Sequence, residues 1–212
     1  MAQSAQQLPG ILVVLSGPAG VGKTTVAARL LENDGYVRSV SATTRAPRAG
    51  EVNGRDYHYV SREEFKALIE QDDLIEHAEV HGNFYGTPMQ PLREALAQNK
   101  VMLLVIDVNG GVQVKSKKLE ALLLFLKAPS QTELTRRLEK RATESPVEQA
   151  KRLAKAMDEL KVAEANYDRV LVNDDLDRCV AALAAAIDTK RRELLARRDK
   201  GETLYPGLTR AN

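Results

Sequence analysis

The distribution of apolar residues along the chain predicts where buried strands lie. Unbroken apolar runs occupy 11–15, 101–106, 121–126 and 170–172, and such runs suit strands that are buried on both faces of a sheet. Several of the segments between them carry apolar residues at helical spacing. Because strands that alternate with helices imply a mostly parallel sheet with right-handed crossovers, the pattern predicts an α/β domain with the first run at its centre.

The remaining pattern predicts shorter strands and a set of helices. Strands are expected at 36–40, 57–60 and 74–80. Helices are expected at 23–33, 61–71, from 88 onwards, at 131–140, from 146 through 160, and at 176–198. The segment 41–57 has little apolar content, one proline, two glycines and three arginines, so it is predicted to be a loop.

Capping residues predict where several of these helices begin and end. Ser61 and Glu64 fit a capping box, in which the hydroxyl and the carboxylate satisfy free backbone amides. Thr87 is the predicted N-cap of a helix with Pro88 in its first turn. The pair at 34–35, Asp-Gly, is predicted to end the first helix.

The first buried strand leads into a full match to the phosphate-binding motif G-x-x-x-x-G-K-[ST]. The predicted nucleotide-binding residues are Gly17, Pro18, Ala19, Gly20, Val21, Gly22, Lys23, Thr24 and Thr25. The glycines let backbone amides face inward and cradle phosphate oxygens, and a helix starting near Lys23 adds its N-terminal dipole. Lys23 can reach the β- and γ-phosphates, and the Thr24 hydroxyl can ligate Mg²⁺. The motif therefore predicts a nucleoside triphosphate site.

Composition and net charge argue against several classes of function. The net charge is only +2 over 212 residues, which gives no electrostatic case for nucleic acid or for a membrane surface. No apolar run approaches transmembrane length. Cys179, the single cysteine, excludes an intrachain disulfide and fits the reducing cytoplasm. Its helical neighbours are apolar, so it is predicted to lie in the core.

Two further features suit a second substrate that carries a phosphate. Arg45 and Arg48 lie in the 41–57 loop and could grip a phosphate with bidentate geometry, but their spacing fits a solvated basic loop equally well. Asp107 follows a buried strand, at the edge where open α/β sheets bind ligands. Phosphoryl transfer requires two phosphates in line, a metal and positive charge around the moving group, so these features are compatible with a kinase.

Several motifs together resemble the guanylate kinase family. The matching segments are 41–51 (SATTRAPRAGE), 54–57 (GRDY), Phe65, 74–76 (LIE), 82–87 (GNFYGT), 106–107 (ID), 141–144 (RATE) and 172–175 (VNDD). The T-T-R-x-P-R-x-G-E stretch is far more specific than the phosphate loop. The resemblance covers about 11–185 and implies the P-loop nucleoside monophosphate kinase fold, with the reaction ATP + GMP → ADP + GDP and Mg²⁺ as cofactor.

The resemblance also implies how one domain of residues 1–212 is divided. The core P-loop part is expected at about 10–40, 100–130 and 165–198, the GMP-binding part at about 41–90, the helical lid at about 131–163, and a tail at 199–212. ATP and GMP are the expected partners, with neither nucleic acid nor a membrane.

The resemblance assigns roles to individual residues. The phosphate of GMP would be bound by Arg45, Arg48, Tyr57 and Tyr85. Guanine would be read by Ser41, Glu76, Thr87 and Asp107. This agrees with the chemistry, because ionised carboxylates only accept hydrogen bonds and guanine offers N1–H and 2-amino donors that adenine lacks. Asn173 would lie near adenine. The expected catalytic set is Lys23, Arg45 and the lid arginines Arg141 and Arg152.

Three positions depart from the family pattern. Val105 stands where an acidic residue is usual, Asn109 where glutamine is common, and Ala142 replaces a glycine. Two other functions are compatible with parts of the sequence: a kinase-like binding module that has lost catalysis, and a P-loop kinase for a phosphorylated sugar. The intact P-loop argues against the module, and Glu76 and Thr87 argue against a sugar acceptor, which needs no carboxylate for guanine.

Overall fold

A computed structural model of the protein describes residues 7–139 and 146–208. The strands are β1 (Ile11–Ser16), β2 (Tyr36–Arg38), β3 (Ala42–Thr43), β4 (His58–Tyr59), β5 (Leu74–Val80), β6 (Asn83–Pro88), β7 (Val101–Val105), β8 (Ala121–Lys127) and β9 (Arg169–Val172). The helices are α1 (Lys23–Leu30), α2 (Arg62–Glu70), α3 (Met89–Ala97), α4 (Val108–Ser116), α5 (Gln131–Glu139), α6 (Pro146–Asn166) and α7 (Leu176–Asp199), followed by a 3₁₀ turn at Pro206–Leu208.

The core sheet is parallel and has the strand order β2-β7-β1-β8-β9. Successive side chains of β1 point to opposite faces, so Val13 packs with apolar residues of α1 and α7, while Val14 packs with those of α3. Burial on both faces explains why β1 reads as an unbroken apolar run. The predicted α/β class, with the P-loop strand at the centre, is confirmed.

A second, smaller sheet is formed within residues 42–88 and has the order β4-β3-β6-β5. It is mixed, since β3 pairs in parallel with β4 but antiparallel with β6, which also pairs antiparallel with β5. α2 covers this sheet through Phe65, which is fully buried and stacks on Phe84 at 5.5 Å. The predicted capping box of Ser61 and Glu64 starts this helix.

Thr87 was wrongly predicted to cap a helix. It lies in β6, and α3 begins two residues later with Pro88 as its N-cap. Pairing with β5 satisfies the backbone of this segment, and the fully buried Thr87 hydroxyl donates to the Glu76 carboxylate instead. Tertiary pairing therefore overrides the local capping signal.

Other local predictions also need correction. α1 ends at Leu30 with Leu31 as a right-handed C-cap, before the Asp-Gly pair at 34–35. β9 is not buried, because it forms one edge of the core sheet and Val172 is 39% exposed. The predicted 41–57 loop contains β3 and ends next to β4. The sequence did not predict α4, since Gly110 and Gly111 weaken its helical signal. The predicted break between two helices at 141–146 lies mostly outside the described residues.

Burial confirms that Cys179 lies in the core. Cys179 of α7 is 2% exposed and belongs to the core cluster that includes residues of β1 and α1, and burial raises the pKa of its thiol. Among the described helices, none combines the length and apolar character needed to cross a membrane.

The basic end of α7 donates hydrogen bonds to backbone carbonyl groups of distant segments through Arg191. The Arg191 guanidinium donates to the carbonyl oxygens of Leu8, Pro9 and Asn99 at 2.8–2.9 Å. Arg197 bridges the Glu120 and Glu202 carboxylates at 2.9 and 2.8 Å. This part of α7 therefore ties the segment before β1 to the core rather than forming only a solvated helix end.

We expect Arg191→Met to lower the free energy of unfolding by about 2 kcal/mol, because three carbonyl groups lose a charged donor. Urea unfolding followed by circular dichroism measures this change. Arg192→Met is the matched control, since Arg192 is the adjacent exposed residue of the same helix, and it should change the value by less than about 0.5 kcal/mol. Equal unfolding midpoints for the two variants would show that the Arg191 hydrogen bonds do not stabilise the fold.

Candidate active site

The phosphate loop connects β1 to α1 and depends on glycines at strained positions. Gly17, Gly20 and Gly22 have φ angles of 152°, 79° and 100°, which favour glycine. A Cβ atom at Gly17 would lie 2.4 Å from the Leu126 carbonyl oxygen, and one at Gly22 would lie 2.6 Å from the Asn173 amide nitrogen. The loop therefore has both the backbone shape and the close packing of a phosphate cradle.

Lys23 begins α1 and folds back over this loop. Its ammonium donates to the Gly17 carbonyl oxygen and, at 3.1 Å, to that of Pro18. Thr24 and Thr25 follow in the exposed first turn of the helix. A cation and a helix N-terminus thus face the same cradle, which favours bound phosphate.

Asn173 and Arg137 brace the loop from the other side. The buried Asn173 amide donates to the Val21 carbonyl oxygen at 2.8 Å. Arg137 of α5 donates to the carbonyl oxygens of Val21 and Asn173 at 3.4 and 3.0 Å. The Val21 side chain is itself fully buried in the core, so it takes part in the loop through its backbone. Sequence reasoning assigned no role to Arg137, which lies in a different helix from the motif.

One cavity of about 430 Å³ adjoins this loop, and a second of the same volume lies beside it between the start of α4 and α6. The first is enclosed by the phosphate loop, the turn at Asp107 and α6, which contributes Arg152 and Glu159. Burial raises the pKa of Glu159, while the nearby Lys155 and Lys23 charges act in the opposite direction. The predicted lid residue Arg152 thus faces the phosphate loop, whereas Arg141 lies outside the described residues.

Arg45 is held in place by an acidic residue of its own loop. One guanidinium nitrogen, Nη2, donates to both oxygens of the Glu51 carboxylate, each at 3.0 Å. Glu51 also accepts hydrogen bonds from the Arg48 backbone N–H at 2.8 Å and from the Tyr59 hydroxyl at 2.7 Å. These bonds, led by that from Arg48, lower the pKa of Glu51 to about 2, so the carboxylate stays ionised and keeps Arg45 oriented.

Aromatic rings surround the Arg45 guanidinium. It lies 5.5 Å from the centroid of Tyr57, whose ring meets that of Tyr85 edge-on at 5.9 Å. β3 and β6 bring these residues together, because Thr43 pairs with Tyr85. The structure therefore groups three of the four predicted GMP-phosphate residues, and the exposed Arg48 side chain extends from the same loop.

A chain of polar side chains crosses the second sheet. The Ser41 and Thr87 hydroxyls are 3.3 Å apart, and the Thr87 hydroxyl donates to Glu76 Oε1 at 2.7 Å. Glu76 is 7% exposed. Burial raises the pKa of its carboxyl and the Asp107 charge adds to this, while the Thr87 bond lowers it. Three of the four predicted guanine-reading residues thus form one connected group.

Asp107, the fourth of these residues, reaches the same group from the core sheet. It follows β7 and caps α4, accepting a hydrogen bond from the Gly110 N–H at 2.8 Å. A Cβ atom at Gly110 would lie 2.9 Å from Ile106 Cδ1 and 3.3 Å from Glu76 Oε2, so a larger residue would crowd both the helix start and the carboxylate. The two acidic residues therefore meet across the first turn of α4.

Within residues 7–139 and 146–208, no group of three or more histidine, cysteine, aspartate or glutamate side chains could hold a metal ion. The acidic groups near the phosphate loop are Asp107 and Glu159.

Comparison with known proteins identifies the family. The family model described as guanylate kinase matches residues 10–190. A guanylate kinase of Deinococcus radiodurans is 47% identical over 183 residues, covering 86% of this chain and 76% of that protein. One from Synechocystis sp. is 45% identical over 188 residues, covering 88% and 98%. The crystal structure of guanylate kinase from Anaplasma phagocytophilum superposes with a TM-score of 0.66 at 36% identity, covering 88% of both chains. The chain belongs to the guanylate kinase family.

Proposed function

We propose that the protein transfers the γ-phosphoryl group of ATP to GMP, giving ADP and GDP. One observation carries this conclusion: a chain of this family combines a complete phosphate loop with a separately built site of arginine, tyrosine and carboxylate groups. Two nucleotides can then be held at once, as in-line phosphoryl transfer requires.

The phosphate of GMP is assigned to the loop that carries Arg45 and Arg48. Arg45 is pre-oriented by its ion pair with Glu51, so little side-chain entropy is lost on binding. Tyr57 and Tyr85 flank it and contribute hydroxyl donors. The cationic loop both binds the acceptor and offsets its charge as the donor phosphate approaches.

Guanine is assigned to the group formed by Ser41, Thr87, Glu76 and Asp107. Glu76 uses one carboxylate oxygen to accept from Thr87, which leaves acceptor capacity for the N1–H and 2-amino donors of guanine. Adenine would leave this buried carboxylate without compensation for its burial, so the base pocket excludes AMP.

The triphosphate of ATP is assigned to residues 17–25 of the phosphate loop. Lys23 exchanges its bonds to the Gly17 and Pro18 carbonyl groups for the β- and γ-phosphates. Arg152, together with Arg141, would close on the triphosphate and exclude water from the transfer. Asn173 braces the loop where the nucleoside of ATP would lie.

The residues present suit Mg²⁺ as the accompanying cation. A glycine cradle and the adjacent Thr24 hydroxyl form an oxygen-donor site that is completed by phosphate oxygens and water, the arrangement that Mg²⁺ prefers. Thr24 would hold the ion, which supplies charge neutralisation of the β- and γ-phosphate oxygens when bound.

The domain organisation follows from these assignments. We assign the second sheet and its flanking segments, about 41–90, to GMP, and residues 131–163 to a lid over ATP. The buried, unpaired Cys179 is compatible with a reducing compartment, and we propose the cytoplasm as the site of the reaction.

A coupled assay of ADP release tests this function. With ATP and Mg²⁺, GMP is expected to be turned over, whereas AMP, CMP and UMP give rates lower by about 10²-fold or more. Absence of turnover with GMP, or equal rates with AMP, would overturn the proposal.

We expect Arg48→Ala to weaken GMP binding by about 30- to 1000-fold, because a charge-assisted phosphate contact is lost. The KM for GMP, measured at saturating ATP, reports this change. Arg55→Ala is the control within the same loop, since its guanidinium pairs with Asp56, and it should change the KM by less than about threefold. An unchanged KM in Arg48→Ala would assign Arg48 to a solvated loop.

A further inference from the structure

β5 is an edge strand of the second sheet, and one of its residues is bonded to the core by a side chain. Gln113 of α4 accepts from the His77 N–H through Oε1 at 3.1 Å. It donates to the His77 carbonyl oxygen through Nε2 at 2.9 Å. A single amide thus supplies the donor and the acceptor that a neighbouring strand would offer.

The bonded residue directly follows Glu76, at a break in the strand register. Leu74 pairs with Pro88 and His77 with Gly86, so two residues of β5, Ile75 and Glu76, oppose Thr87 alone. An extra residue of this kind re-aims the side chains beside it, here turning Glu76 toward the Thr87 hydroxyl. The position of the carboxylate therefore depends on how the backbone at His77 is held.

α4 approaches this strand at two points. Gly110 faces the Glu76 carboxylate, and Gln113, one turn later, binds the backbone of His77. The start of the same helix is Asp107. One helix thus contacts both acidic residues and the backbone between Glu76 and the rest of β5.

The start of α4 is itself fixed to the core. The Tyr167 hydroxyl donates to Ser16 Oγ at 2.7 Å, and Ser16 donates to the Asp107 carbonyl oxygen at 3.2 Å. A Cβ atom at Gly111 would lie 1.8 Å from the Tyr167 hydroxyl, so the helix is packed tightly at this point. Because α4 is held against the core sheet in this way, it can fix the position of β5 relative to that sheet.

We infer that Gln113 is a positioning residue for guanine recognition, which sets the Glu76 carboxylate relative to Asp107 by holding the His77 backbone. This inference rests on the proposed function. If the Gln113 amide only stabilised the fold, its loss would lower the stability or raise the KM values for GMP and ATP alike. A positioning role affects GMP alone, and it acts through Glu76.

Gln113→Met tests this directly, because methionine keeps the length of the side chain but removes the amide. We expect the KM for GMP to rise about 10-fold and the KM for ATP to stay within about twofold. The preference for GMP over AMP should fall by a similar factor of about ten. Gln113→Glu is a second variant: it keeps an acceptor for the His77 N–H but lacks a donor for the carbonyl oxygen, and the same KM split is expected.

Gln90→Met is the matched control, since Gln90 lies on α3 and its amide donates to Glu94, one turn away on the same helix. The KM of the Gln90→Met variant for GMP should equal that of the wild type. Thermal melting of each variant checks folding. A KM for GMP that is unchanged in both Gln113 variants, or that rises equally for ATP, would overturn the positioning role.

A double-mutant cycle separates action through Glu76 from an independent effect. GMP dissociation constants are measured by calorimetry without ATP. In the Glu76→Gln background, Gln113→Met should weaken GMP binding by less than about twofold. The same 10-fold loss in both backgrounds would refute action through Glu76. Wild type that fails to phosphorylate GMP refutes the proposed function itself, whereas active wild type with a normal Gln113→Met variant refutes only this inference.

Discussion

Lys23→Met is expected to lower kcat by about 10²- to 10³-fold, because a preorganised cation at the transferring phosphate is removed. The ammonium lies on the phosphate loop, bonded to the Gly17 and Pro18 carbonyl groups, and its side chain is not part of the core. The fold should therefore survive the substitution, with a melting temperature lower by about 2–4 °C. Initial rates at saturating ATP and GMP measure the effect.

Lys66→Met controls for the loss of a lysine, since Lys66 is exposed on α2. Its kcat should match that of the wild type. A folded Lys23→Met variant with wild-type kcat would remove Lys23 from catalysis, and the phosphate loop would then be only a binding element.

Selectivity for GMP over AMP is expected to reach about 10⁴ in kcat/KM, since sites built to hydrogen-bond a substrate group strongly reject analogues that lack it. Glu76 carries this selectivity, because it is 7% exposed and only one of its oxygens is engaged by Thr87. Glu76→Gln should abolish most of the GMP activity, since the amide offers one acceptor group in place of two. Residual activity would reflect Asp107, whose charge lies close enough to raise the pKa of Glu76.

The values of kcat/KM for GMP and AMP in wild type and variant test this role. Glu79→Gln is the matched control, because Glu79 lies three residues along the same strand and is exposed. It should leave the GMP-to-AMP ratio unchanged. The base-reading role of Glu76 is wrong if wild type uses both nucleotides equally, or if Glu76→Gln keeps the wild-type ratio.

The raised pKa of Glu76 adds a test by pH. A raised pKa means that protonation begins at a higher pH than for an ordinary glutamate, whose value is 4.5. Guanine donors need the ionised carboxylate, so GMP affinity is complete above the raised pKa and declines as the pH falls through it. Glu76→Gln should lack this decline, and GMP affinity measured against pH in both proteins shows whether it does.

Local sequence predicted those parts of the site that lie on one continuous segment. The phosphate loop is an example, since the strand, the glycines and Lys23 follow one another and their chemistry requires no partner from elsewhere. The arginine loop was also found, but its spacing could not separate a phosphate site from a solvated loop. That distinction depends on Glu51 and Tyr59, which orient Arg45 and received no role from sequence.

The α/β class, the central P-loop strand and the phosphate loop follow from the chain's own pattern, because apolar runs and glycine motifs act locally, whereas the base-reading residues were assigned through the family resemblance. Which of these residues lie together depends on tertiary contacts. Thr87 does not cap a helix, because its strand pairs with β5 and its hydroxyl donates a hydrogen bond to the Glu76 carboxylate. α4 packs against both the Glu76 carboxylate and the Tyr167 hydroxyl because Gly110 and Gly111 present no Cβ atom to these two groups, which are far apart in the chain. Such contacts join residues far apart in the chain, and local periodicity carries no information about them.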